Sequence, residues 1–184
     1  MFKGIIVAGC LVAMGVCSAC VVSAQDTGGR VRELVSQLDK TKHKTKDKGS
    51  YHYEVYAEVR NEPVVMKPTD LAGKYISPDT ADFRLDLTVA SNGTATATGT
   101  GYEMVGVNAV RVNYTFTGRI DGALLTGTRT LEDGRKEPFE ACFVNRTVRS
   151  GKNEADAAVT HHGFGIGYLQ KDEHWSNRVY LEKM

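Results

Sequence analysis

Hydrophobic and polar residues alternate along most of this chain with a period of two. Between Asp82 and Ala90, Phe83, Leu85, Leu87 and Val89 fall on one face, while Arg84, Asp86 and Thr88 fall on the other. That alternation predicts a half-buried strand. Asn92-Gly93 supplies the positive φ angles of a two-residue hairpin turn. Thr94 to Gly101 returns as a second strand, in which Thr alternates with Ala or Gly. The same rhythm predicts strands over 73–77, 82–90, 94–101, 108–119, 123–131, 136–149, 162–170 and 177–183. Pro78-Asp79, Asn92-Gly93, Asp121-Gly122, Asp133-Gly134 and Ser150-Gly151 mark turns between them. Short strands joined by turns imply a sandwich or a closed barrel rather than a βαβ fold. Closure removes the open edges that template aggregation. The predicted fold class is mainly β: an antiparallel meander closing into an eight-stranded barrel, with one short N-terminal helix.

Upstream of residue 71 the pattern changes. Val31, Leu34, Val35 and Leu38 recur at i, i+3, i+4 and i+7, predicting a helix of about three turns. KTKHKTKDK, residues 40–48, has no apolar residue and reads as a solvated basic linker. Tyr51, Tyr53, Val55, Ala57 and Val59 then alternate with His52, Glu54, Tyr56, Glu58 and Arg60, predicting a strand ended by Asn61-Glu62-Pro63. Val64-Val65-Met66 reads as a short edge strand. The first 24 residues carry the parts of a secretory signal peptide: Lys3, an apolar run from Gly4 to Ala19, and Val22-Ser23-Ala24 before Gln25. The run is shorter than the ~20 residues of a membrane span. Ser18-Ala19-Cys20 resembles the end of a bacterial lipobox, with Cys17 where Leu is expected, so a lipid anchor at Cys20 is the alternative to free secretion. The domain reading is a signal peptide over 1–24, an amphipathic helix and basic linker over 25–49, and a β-barrel domain over 50–184. Localisation follows: exported, to the periplasm or the medium, or else a membrane-anchored lipoprotein.

Leu71-Ala72-Gly73-Lys74-Tyr75 resembles the opening G-x-W of lipocalin-like barrels, with Tyr75 in place of Trp. Arg178, in Asn177-Arg178-Val179-Tyr180, stands where those barrels carry an Arg on the last strand that packs on that first aromatic ring. The resemblance runs from Leu71 to Lys183. It implies an eight-stranded up-and-down barrel, whose interior is either filled or holds one small apolar ligand.

Composition adds constraints. Formal charge is +1, and without residues 1–24 the remaining 22 basic side chains balance 22 acids. A neutral body has no global field for nucleic acid. No aromatic residue interleaves the lysines of 40–48 for base stacking, so nucleic acid is not an expected partner. Cleavage after Ala24 leaves Cys142 alone, which excludes an internal disulfide.

Catalytic signals are thin. Cys142 lies in the apolar run Phe139-Glu140-Ala141-Cys142-Phe143-Val144, which reads as core. His161-His162 and His174 with Asp172 and Glu173 flank one turn, but match no zinc-ligand spacing. Gly163, Gly165 and Gly167 alternate with Phe164, Ile166 and Tyr168, with no helix following to make a phosphate loop, so the strand offers a bare face for close approach. No catalytic residue, metal or cofactor is assigned, and the protein reads as non-enzymatic. The expected function is an exported binding protein holding a small apolar ligand in its barrel, lined by Tyr75, Phe83, Leu85, Tyr114, Phe116, Phe164 and Ile166. The alternative is a solid-barrel envelope protein that contacts a protein partner through its tyrosine-rich strand.

Overall fold

The computed structural model describes residues 26–48, 51–80, 82–105, 108–171 and 176–184. The signal-peptide segment and Cys20 therefore lie outside the described residues, as does His174. Helix α1 spans Thr27–Leu38 and is followed by strands β1 (Lys40–Lys48) and β2 (Tyr51–Pro63). After a 3-10 turn over Pro68–Leu71 come β3 (Gly73–Ile76), β4 (Arg84–Val89), β5 (Thr94–Val105) and β6 (Asn108–Asp121). Strands β7 (Leu124–Leu131), β8 (Lys136–Gly151), β9 (Ala158–Lys171) and β10 (Ser176–Lys183) complete the chain. Strands β3 to β10 pair antiparallel in sequence order, and β10 pairs back onto β3, so the eight close into an up-and-down barrel. The seam is short: Glu182 faces Ile76, Lys183 faces Tyr75, and the Met184 amide donates to the Lys74 carbonyl.

The alternation read from the sequence is what fills the barrel. Leu85, Leu87 and Val89 on β4, Ala95 and Ala97 on β5, and Tyr114 and Phe116 on β6 are all buried in one cluster with Phe143, Ile166 and Leu181. The small residues of β5 make room for the rings of β6: a Cβ on Gly99 would lie 2.3 Å from Tyr114 Cζ. Gly118 and Gly127 sit side by side beneath Phe116, and a Cβ on either would meet the backbone of the other's strand at 2.1–2.2 Å.

A second cluster lies outside the barrel wall. Asp26 caps α1 through its carboxylate, which accepts from the Gly29 amide. Val31, Leu34 and Leu38 pack against Ala123, Leu124, Cys142, Val144 and Tyr180. The bare face of β9 points outward to this cluster rather than into the barrel. Leu38 Cδ1 comes to 2.7 Å of where a Gly167 Cβ would stand, and Tyr180 Cε2 to 2.9 Å of the same point on Gly165. The glycines are what let the helix and a ring lie directly on the strand.

Residues 40–48 are not a linker. They form β1, paired with β2 over its full length from Lys40 opposite Val59 to Lys48 opposite Tyr51. The segment alternates as a strand does, but between Lys and polar residues, and its partner strand supplies the apolar side. The boundary expected after residue 49 therefore falls inside a hairpin, and the barrel itself begins at Gly73. No strand forms at Val64–Met66; the Val64 amide instead donates to the Phe143 carbonyl. Strand β8 is longer than the barrel wall. It pairs with β7 as far as Cys142 and then with β2 from Val144 to Gly151, while its other edge pairs with β9. The β1–β2 hairpin thus extends a four-stranded sheet beyond one end of the barrel.

Gly127→Ala is expected to destabilise the protein by about 3 kcal/mol or more, because the new methyl meets backbone that cannot give way. Gly101→Ala, whose Cβ finds its nearest neighbour at 3.6 Å, is expected to stay near wild type in urea unfolding.

Candidate functional site

The seven residues expected to line a cavity do come together, but as packed core. Tyr75, Leu85, Tyr114, Phe116 and Ile166 are 0–4% exposed, and Phe83 and Phe164 pack against the same cluster. Phe143 stacks on Phe164 with ring centroids 6.4 Å apart, Tyr75 meets Phe143 at 6.4 Å, and Phe116 meets Phe139 edge-on at 5.4 Å. Rings occupy the space that a ligand would need.

Tyr75 is fully buried in the barrel core. Its hydroxyl donates to the Leu71 carbonyl at 2.5 Å. Arg178 does not pack on it; the Arg178 side chain is exposed on the outer face and donates to the Gln37 carbonyl at the end of α1. Arg178 alternates with Val179, and Val179 is the residue that faces inward. A helix lying on this wall claims the arginine.

Polar groups close the end of the barrel where β3 passes to β4. Asp82 accepts from the Tyr102 hydroxyl at 2.8 Å and from Thr80 at 3.2 Å, with Arg111 at 3.8 Å. The Tyr102 hydrogen bond holds the Asp82 carboxyl below its usual range. Gln170 donates to the Tyr102 carbonyl, and the Tyr102 ring sits edge-on to Phe83 at 5.5 Å. Just inside, Arg129 pairs with Glu137 at 2.6 Å and lies over the Tyr114 ring at 5.7 Å. The Tyr114 hydroxyl makes no well-formed hydrogen bond, with Tyr168 and Arg129 the polar groups beside it. Sequence reasoning missed this inward ion pair; Arg129 on the inward register of β7, opposite Phe116, was the signal.

The outer wall carries a groove of about 680 Å³ across β3 to β7. Its floor is the backbone of the row Tyr75, Leu85, Gly99, Tyr114 and Leu131, and the side chains of Tyr75, Leu85, Tyr114 and Leu131 belong to the core. One wall runs from Lys74 and Asp86 to Thr130, the other from Ile76 and Arg84 to Glu132. Basic and acidic side chains balance along it, so it offers no net field.

Among the described residues, the nucleophile and metal candidates are not assembled into a site. Cys142 is fully buried under α1, and burial pushes its thiol up to about 12. A thiol held protonated is no nucleophile at neutral pH. His161 lies 3.2 Å from Glu182, while His162, the next residue on β9, hydrogen-bonds Thr147 at 2.8 Å. Successive strand residues face opposite ways, so the two imidazoles do not converge. Among the described residues no three His, Cys, Asp or Glu side chains gather closely enough to hold a metal ion. On the same wall Arg146 lies over the Tyr180 ring at 4.1 Å and donates to Asn61 at 3.1 Å, and burial lowers its guanidinium. Asn61 in turn donates to Asp39, which ties the end of β2 to the residue that caps α1.

Buried phenols resist ionisation in the folded protein. Burial raises Tyr114 to about 12 and raises Tyr75, Tyr168 and Tyr180 above the ordinary value. Folding therefore favours their protonated forms. The stability they contribute is fully present below about pH 10, the unfolded value, and is lost as pH rises through the folded values. Absorbance titration is expected to show these four of the eight tyrosines ionising only together with unfolding. Comparisons with protein-family models, with curated proteins and with solved structures find no match for this chain.

Proposed function

We propose that this chain is an exported, non-enzymatic binding module of lipocalin-like architecture that meets its partner through its outer surface. The observation that carries the reading is the filled interior: Tyr75, Phe116, Phe143 and Ile166, central to the space a lipocalin-like ligand would take, are 0–1% exposed. Filling a barrel with interlocked rings makes it rigid rather than capacious. The β1–β2 hairpin and the long ends of β8 and β9 project from that rigid body and present surface that the barrel does not need for its own closure. Export is supported by the composition of residues 1–24, with lipid attachment at Cys20 as its variant.

Native mass spectrometry of the protein purified from its own host tests the reading. The expected result is the bare mass of the chain, with nothing released on denaturation. A small apolar molecule released in stoichiometric amount would overturn it and return the barrel to the role of a carrier.

A further inference from the structure

Threonine hydroxyls form a grid on the outer wall of the barrel. Residues directly opposite each other in an antiparallel pair share a face, and next neighbours along a strand take opposite faces. Thr98 on β5, Thr115 on β6 and Thr130 on β7 stand opposite one another in turn, and Asp86 and Lys74 continue the row across β4 and β3. Two positions along the strands, Thr88, Thr96, Thr117 and Thr128 make a second row. The first row is one wall of the groove of about 680 Å³, and the second lies outside it. Thr98 and Thr115 are exposed and Thr130 is half-buried. Among the described residues, none of these three hydroxyls has a hydrogen-bond partner. Across the groove floor stand Asn113 and Glu132, joined at 2.6 Å.

We infer that this groove binds an extended β-linked glycan of the cellulose or chitin type, laid across the strands. The inference rests on the surface-binding reading above and names the partner's chemistry. The groove runs straight over β3 to β7, a span of ~19 Å at ~4.8 Å per strand interval. The rise per ring of such a glycan is close to the strand spacing, so successive rings come into register with successive threonines, about four rings in all. Neighbouring rings are turned over, so their hydroxyls emerge toward both walls. A sugar hydroxyl donates and accepts, which is what an unpaired threonine hydroxyl requires. Threonine methyls and Ile76 offer apolar contact to the C–H faces of the rings. Lys74 and Arg84 are balanced by Asp86 and Glu132, so the groove selects a neutral ligand over a polyanion. An extended peptide fits poorly. Strands β4 to β7 are already paired on both edges, so a peptide laid across them finds no ladder to join.

Amide chemical-shift titration of the full chain tests this, with cellohexaose and chitohexaose as probes and maltohexaose as the α-linked, coiled control. At least one of the β-linked hexamers is expected to give saturable shifts centred on β3 to β7, and maltohexaose none. Each hydroxyl removed is expected to weaken binding about fivefold, so Thr98→Val/Thr115→Val/Thr130→Val should lose on the order of 100-fold. The matched control Thr96→Val/Thr117→Val/Thr128→Val, one row outside the groove, should bind like wild type. Thr115→Val alone gives the single step should the triple variant fold poorly. No shifts with either β-linked hexamer at millimolar concentration, or shifts centred on another face, would overturn the inference. So would equal binding of maltohexaose, or equal losses in the two triple variants. Any of these failures, with a bare mass in the native spectrum, leaves the filled-barrel module standing, whereas a released small molecule would remove that reading itself.

Discussion

A strand has two edges, and β8 divides one of them between two partners. Lys136 to Cys142 pair with β7, Val144 to Gly151 pair with β2 on the same edge, and the other edge holds β9 from Ala141 to Ser150. The exchange happens at Phe143, whose amide donates to Ala123 and whose carbonyl accepts from Val64. Phe143 is also fully buried inside the barrel. One residue thus fixes both the inner packing and the point where the outer sheet begins. Had β8 ended with the barrel wall, the β1–β2 hairpin would have had no backbone to pair with, and an isolated hairpin is marginal in water.

Much of the barrel was legible because period-two alternation reports burial on one face directly. The strands from β3 to β10 follow that signal, and Asn92-Gly93, Asp121-Gly122 and Asp133-Gly134 each mark a turn with a glycine at positive φ. What the pattern does not report is which way a bare face points. Ala95 and Ala97 face inward beneath aromatic rings, while Gly165 and Gly167 face outward beneath α1 and Tyr180, although both stretches look alike in sequence. The direction is set by partners far away in the chain. Residues 40–48 were hidden for the opposite reason: the strand alternates, but between two kinds of polar residue, and burial patterning carries no information there. Arg178 shows a third limit. A residue in the place where a family keeps a functional arginine was taken up by the end of a helix that the family core lacks.

The candidate site follows from the same physics. Aromatic residues that could line a pocket are also the residues best suited to fill one, and only the sizes of their cross-strand neighbours decide between the two. Gly99, Gly118 and Gly127 admit the Tyr114 and Phe116 rings, so large and small interlock and the interior closes. The chemistry is muted in consequence. The cysteine and four tyrosines are held in their neutral forms by burial.

The closing seam of the barrel carries a consequence for how the molecule breathes. Strand β10 shares seven register positions with β9 but only two with β3, supplemented by the Met184 amide and by the Lys183 ammonium on the Asp70 carbonyl. A cylinder opens along its thinnest join. Amide hydrogens around Lys74 and Ile76 are expected to exchange with solvent through local opening of that join before those of the rest of the wall. Opening there uncovers two unpaired strand edges at once. Residues 182–184 thus hold the cylinder shut as a latch, and its release would expose strand edges to proteases and to pairing with a neighbour while the core is still packed.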